Sequence, residues 1–259
     1  MPTTPLSARR RVLVTGSARG IGAAIAAAFA AGGDVVAVHG RTDTSGAASV
    51  ASALPGTGHC AVAGDISDPD EARRVVADAV RALGGVDTLV NNAAAHRHQP
   101  IATTSYSDWW DGWQQVIGVN LIGTANVTWC VADHLLTRPD GPAGGRIITV
   151  GSRGAYRGEP DAPAYGASKA GVHSLSQSLA VALAPHGIGV AAVAPGYVHT
   201  DMAEATLRGP QGDAVRAQSP FGRVAEPAEI AAAVVWLASS QAQWSSGAVL
   251  DLNGASYLR

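Results

Sequence analysis

Short β-branched runs alternate along this chain with longer alanine-rich stretches of helical spacing. That alternation limits the fold more than any other feature. Runs at 12–15, 34–38, 59–63, 86–90, 146–150, 188–193 and 248–252 read as strands. They are mostly solid apolar runs, which marks strands buried on both faces. Between them, 21–31, 68–83, 107–136, 164–183 and 226–237 read as helices. Asp68 as N-cap, Pro69 in the first turn and Gly84 after the last supply start and stop signals for the 68–83 helix. The pattern predicts one α/β domain over 1–259, a doubly wound parallel sheet of about seven strands with helices on both faces. The least regular stretch, 199–223, follows a strand end. It is too long for a passive connection and is expected to form a substrate lid.

Composition removes several function classes. Eighteen Lys and Arg against 20 Asp and Glu leave a net charge of −2, with no electrostatic footprint for nucleic acid or an anionic membrane. With 15 % charged and 47 % apolar residues the chain is built to fold. Cys60 and Cys130 make neither a disulfide framework nor a metal site, so a reduced, cytoplasmic protein without metal is expected. The longest apolar run, 23–31, is nine residues, against the ~20 needed to span a bilayer. Arg9, Arg10 and Arg11 precede too short an apolar run for a signal sequence. Of the 18 basic residues, 17 are arginine and one is lysine, Lys169. Arginine is always charged, whereas a lysine pKa moves readily with its surroundings.

The first strand runs into Gly16, Ser17, Ala18, Arg19, Gly20, Ile21 and Gly22, and a helix then begins. Glycines there permit a tight turn and let main-chain N–H groups approach a pyrophosphate at the positive end of the helix. The spacing G-x-x-x-G-x-G differs from the usual G-x-G-x-x-G. An NAD-binding fold of this kind places an acid about 20 residues further on, to hold the ribose hydroxyls. Here that region reads His39, Gly40, Arg41. Arg41 and Arg19 instead suit a 2′-phosphate, which favours NADP(H) over NAD(H). Tyr165 and Lys169, four residues apart, share one helix face. A free phenol has a pKa of about 10, and a neighbouring ammonium favours the phenolate. Lowering it by about three pH units takes about 4 kcal/mol.

Taken together these motifs resemble the short-chain dehydrogenase/reductase family in its compact, Rossmann-like form. The resemblance runs from about residue 11 to 258. It rests on the glycine loop, Asp65 after the third strand, Asn91-Asn92-Ala93, Asn120, Ser152, Tyr165-x-x-x-Lys169, and Pro195-Gly196 followed by Thr200. It implies that Tyr165 is the general acid/base and that Ser152 hydrogen-bonds the substrate oxygen. Lys169 would bind the nicotinamide ribose and lower the tyrosine pKa, and Asn120 would hold a water of the proton relay. The implied cofactor contacts are Gly16, Ser17, Arg19, Gly20, Ile21, Gly22, Arg41, Asp65, Ile66, Asn92, Ala93, Tyr165, Lys169, Pro195, Gly196, Val198 and Thr200. Three positions depart from the pattern: Ala94 and Ala255, where the family more often has glycine, and Asn253, where it often has aspartate.

Arg153, Tyr156, Arg157 and Glu159 fall in a stretch that lines the substrate pocket in this family. Either arginine would suit an acidic group, although solvated loop arginines are the plainer reading. By the same resemblance, His96, Arg97 and His98 and the 199–223 lid are candidates to face that pocket. Trp109 and Trp110 read as core or interface before they read as a substrate wall. The resemblance implies an NADP(H)-dependent oxidoreductase interconverting a ketone and a secondary alcohol, working as a carbonyl reductase. Its partners would be a small carbonyl or alcohol substrate and further copies of itself, a tetramer or dimer. Two other readings stay open, an NAD-dependent alcohol dehydrogenase and a dinucleotide-sensing protein without catalysis. An enoyl reductase is disfavoured, since those relatives space the tyrosine and lysine more widely.

Overall fold

A computed structural model describes residues 9–42 and 44–259. The first eight residues and residue 43 of the expected domain lie outside it. Seven strands form one parallel sheet in the order β3-β2-β1-β4-β5-β6-β7. They are β1 (Arg11–Val14), β2 (Val35–Gly40), β3 (Cys60–Ala63), β4 (Thr88–Asn91), β5 (Arg146–Val150), β6 (Gly189–Pro195) and β7 (Val249–Leu252). The helices are α1 (Gly20–Ala31), α2 (Thr44–Ala53), α3 (Pro69–Leu83), α4 (Tyr106–Ile117), α5 (Thr124–Leu136), α6 (Pro163–Leu183), α7 (Asp201–Arg208), α8 (Gly212–Arg216) and α9 (Pro227–Leu237). The expected fold class is the observed one.

Alternate strand residues feed two cores. Val12, Val14, Val36 and Val38 pack with Ile25 and Phe29 of α1 and Ile230 and Val234 of α9. Leu13, Leu89 and Ile147 pack on the other face with Val75 of α3 and Val127, Val131 and Leu135 of α5. Each such side chain, fully buried, stabilises the fold by about 1.5–3 kcal/mol. Strand order reverses between β1 and β4, which opens a crevice at their carboxyl ends, the place where such sheets bind ligands.

The predicted helix ends at 68 and 84 hold. The Asp68 carboxylate accepts from the Asp70 and Glu71 N–H groups at 2.9 Å, and Gly84 closes α3 at φ 73°. Three other expectations are corrected. α2 was not expected; it buries only Ala47, so its sequence carries no apolar stripe. The helix predicted over 107–136 is α4 and α5 joined by a π-helical turn, Gly118–Gly123. The 199–223 stretch is less irregular than expected, since it holds α7 and α8. By length and composition alone, 106–136 also passes as a membrane span, longer than the nine-residue run suggested. Val116, Val127, Val131 and Leu135 of this segment are buried inside the protein, whereas Trp110, Ile122 and Trp129 are exposed.

Candidate active site

The glycine loop closes over the end of β1. Gly16 and Gly20 adopt φ of 63° and 57°, the left-handed region that glycine enters without strain. A Cβ on Gly22 would stand 2.5 Å from both the Gly16 carbonyl oxygen and Asn92 Nδ2. One on Gly16 would stand 2.7 Å from Ala93 Cα. The loop is pinned from both neighbouring strands. Asn92 Nδ2 donates to the carbonyls of Thr15 and Gly16, at 2.9 and 3.0 Å. Thr15 Oγ1 accepts from the Asn92 and Ala93 N–H groups, at 2.9 and 3.1 Å. Ser17 Oγ donates to the Val14 carbonyl and accepts from His39 N.

His39 is the loop's second anchor, and sequence reasoning passed over it. Its Nδ1 accepts from Gly16 N at 3.0 Å, and its Nε2 lies 2.9 Å from the Gly64 carbonyl. The ring is buried, and desolvation holds its pKa below the usual histidine value. A neutral imidazole with the proton on Nε2 satisfies both contacts.

A dinucleotide fits this cradle. α1 begins with no side-chain cap and no acid in its first turn, so its first N–H groups remain for an anion. Arg19, at the N-cap, and Arg41 are exposed on either side. Desolvation alone would raise the Asp65 carboxyl. Two hydrogen bonds from Ser67 and the Arg41 charge outweigh it and hold the group below the usual carboxylate range. Arg41 therefore stands near Asp65, at the end of β3. Thr200 reaches the loop from 180 residues away in sequence, its Cγ2 being 3.5 Å from where a Gly20 Cβ would sit. Val198 is buried beside it, and a Cβ on Gly196, after Pro195 of β6, would meet Asn253 at 3.1 Å. Ile21 packs partly against the α1 core, and Ile66 is 3 % exposed within the other core, so its side chain faces the protein interior.

The predicted catalytic residues come together at the ends of β4 and β5. Ser152 follows β5, and its hydroxyl accepts from Gly154 N at 3.0 Å; Tyr165, from the first turns of α6, lies close enough for that hydroxyl to favour its phenolate. Lys169, one turn on, is 4 % exposed. Its Nζ donates to the Val150 carbonyl at 2.8 Å and lies 5.6 Å from the centre of the Tyr165 ring. Burial pushes Lys169 down to about 8. Burial also pushes Tyr165 up to about 12, with the Ser152 hydrogen bond pulling the other way. The lowered tyrosine pKa expected from Lys169 is thus not a property of the protein alone, because desolvation of the phenolate wins. Asn120 sits in the π turn, where such irregularities often mark functional sites. Its Oδ1 accepts from Ala95 N at 2.7 Å, and its Nδ2 donates to the Ala95 carbonyl and to Ser168 Oγ, at 3.0 and 2.9 Å.

His173 was also missed. It lies four residues beyond Lys169, so the spacing that found the lysine would have found it. Its Nε2 accepts from Ser152 N at 3.4 Å. Burial first, and the Lys169 charge next, push it down to about 4, so it stays an acceptor. His96 packs edge-on against the Tyr165 ring, with centroids 5.1 Å apart. Trp109 pairs with Trp113 within α4, and Trp110 is exposed. Arg153 is not a solvated loop residue. It is 5 % exposed and lies over the Tyr197 ring, whereas Arg157 is exposed.

Comparison with known proteins gives the class. A family model described as Enoyl-(Acyl carrier protein) reductase matches residues 16–254. The chain is 36 % identical to 3-oxoacyl-(acyl-carrier-protein) reductase FabG of Vibrio cholerae, over 95 % of this chain and 96 % of that one. It is 37 % identical to D-threitol dehydrogenase of Mycolicibacterium smegmatis, over 93 % and 90 %. A short-chain dehydrogenase from Burkholderia cenocepacia, solved in complex with NADP, superposes with a TM-score of 0.85 at 33 % identity, over 95 % of this chain and 97 % of that one. The chain belongs to the short-chain dehydrogenase/reductase family of oxidoreductases.

Proposed function

We propose that this protein is an NADP(H)-dependent carbonyl reductase that interconverts a ketone and a secondary alcohol. The observation that carries the reading is the convergence of Ser152, Tyr165 and Lys169 beside the glycine cradle. Within that cradle, Gly16 through Gly22 with Asn92, Ala93, Pro195, Gly196, Val198 and Thr200 would hold the dinucleotide, and Asp65 and Ile66 would border its adenosine end. Arg19 and Arg41 would take the 2′-phosphate, since β2 ends on His39 and Gly40 and runs directly into Arg41 where an NAD-binding fold carries an acid. Bound there, the reduced nicotinamide supplies a hydride to the carbonyl carbon.

The side chains account for the rest. Ser152 Oγ donates to the substrate oxygen and fixes its position. Tyr165, protonated at neutral pH, gives its phenolic proton to that oxygen as negative charge develops there. The phenolate left behind is stabilised by the Lys169 ammonium beside its ring. A proton then returns to Tyr165 from solvent, with Asn120 shaping the return path at the π turn. The His173 contact to Ser152 N and the two cores hold these groups in register. The 199–223 segment is proposed as a lid that excludes water, and a cytoplasmic location fits the use of NADPH.

Initial rates with NADPH and NADH test the cofactor assignment. Faster turnover with NADPH is expected, and Arg41→Asp should shift preference toward NADH by tenfold or more. An unchanged preference in that variant would contradict the role given to Arg41.

A further inference from the structure

Among the described residues, the two arginines between Ser152 and Tyr165 make no close ion pair. Among the described residues, no carboxylate lies within 4 Å of Arg153 or Arg157. Arg153 is buried, yet it donates only to neutral side chains, Ser256 Oγ and Gln218 Oε1. Arg157 Nη1 donates to the same Gln218 Oε1 at 3.0 Å. Two like charges thus converge on one amide oxygen. Burial, and then the charge of Arg157, lower the Arg153 pKa. Glu159 is the nearby acid; burial raises its pKa, and the charges of Arg153 and Arg157 act on it the other way from beyond ion-pair distance.

Buried guanidiniums ordinarily pair with an anion. Arg146, the other buried arginine among the described residues, is satisfied differently. It donates to the main-chain carbonyls of Gly145 and Ser239, which are fixed by the fold. The partners of Arg153 are side-chain ends from the edge of the 199–223 segment and from the C-terminal tail, and both can rotate away. A cavity of about 230 Å³ opens on Arg153, lined also by Tyr197, Gln218, Ser219, Asn253 and Ser256. Arg223 and Glu229 line it too, but they neutralise one another at 2.7 Å. The uncompensated charge in that cavity is positive. Arg153 directly follows Ser152 at the end of β5, and its guanidinium lies 5.2 Å from the centre of the Tyr197 ring that lines the same cavity.

We propose that Arg153 and Arg157 form an anion-recognition subsite of the carbonyl pocket, and that the substrate is an oxo acid whose carboxylate replaces Gln218 between the two guanidiniums. The planar fork of arginine suits a carboxylate bidentately, and an exposed partner such as Arg157 can close on it. This assignment rests on the carbonyl reductase reading of the same site.

The test is NADPH-dependent reduction of a series of straight-chain oxo acids and their methyl esters. Wild type should favour acid over ester by about tenfold in kcat/KM. Arg157→Gln and Arg153→Gln should remove that preference while leaving ester reduction within about twofold. Equal use of acid and ester by wild type, or loss of both alike in the variants, would overturn the subsite. If neither acids, esters nor other ketones turn over, the carbonyl reductase reading fails instead. The subsite then stands or falls by binding alone. Glutarate should raise the wild-type melting temperature, and Arg157→Gln should abolish the shift. An equal shift with inorganic phosphate would overturn the carboxylate assignment, and no shift with either would overturn the site. Gln218→Glu supplies the missing counter-ion within the protein. It should raise the melting temperature and weaken oxo acid turnover alone, and a lowered melting temperature would count against uncompensated charge.

Discussion

Lys169 is enclosed by α6 and the end of β5, with its ammonium on the Val150 carbonyl and beside the Tyr165 ring. Every other basic residue in the chain is arginine. A guanidinium is planar, larger and remains charged, so it fits neither the space nor the modest desolvation that a lysine relieves by its lowered pKa. Lys169→Arg therefore conserves charge and still should lower kcat about a hundredfold or more at saturating NADPH. A variant with near wild-type kcat would show that position 169 needs only a positive charge. Residue chemistry of this kind was legible in the sequence, because Tyr165 and Lys169 share a helix face at a spacing of four. The direction of the Tyr165 pKa was not legible. It depends on burial by distant segments, which no local pattern reports.

At the level of elements, the π turn Gly118–Gly123 does the positioning. It turns the Asn120 amide across to Ala95 and Ser168, and so ties α5, α6 and the segment after β4 together at the catalytic end of the sheet. Asn120→Ala leaves the Ala95 N–H and the Ser168 hydroxyl without these partners in a buried setting. It should destabilise the protein by about 1–3 kcal/mol, read from urea unfolding midpoints. A loss below about half a kcal/mol would show that water satisfies these groups as well as the amide does. The turn was hidden in sequence because Gly118–Gly123 continues the apolar helical pattern on both sides, and the extra main-chain residue leaves no compositional mark. α3 was readable for the opposite reason. Asp68, Pro69 and Gly84 act through hydrogen bonds and dihedral preferences that are entirely local.

Across the whole molecule, the site joins segments far apart in sequence. Thr200 meets Gly20, Asn92 meets Gly22, and Ser256 meets Arg153. Parallel strand order brings the first two pairs to one crevice, but in the sequence Asn92 and Thr200 stood out only through the family resemblance, not through alternation or the glycine loop. The burial of Arg153 needed the C-terminal tail and Gln218 in place, which explains why a solvated arginine was the plainer reading of the sequence. The outer faces carry exposed apolar residues, among them Trp129 and Val181 on α5 and α6, and Trp244 and Leu250 near β7. We propose that these faces meet in a homo-oligomer, a tetramer or a dimer. Sedimentation velocity should give a species of at least two chains, and a monomer at micromolar concentration would contradict it.

The central claim is that Tyr165 exchanges the proton while other groups hold the cofactor. Measuring kcat and NADPH affinity together for Tyr165→Phe tests it most directly. The variant should lose about a thousandfold or more in kcat, with the dissociation constant for NADPH within a few-fold of wild type. Retained turnover, or a loss confined to NADPH binding, would contradict the account.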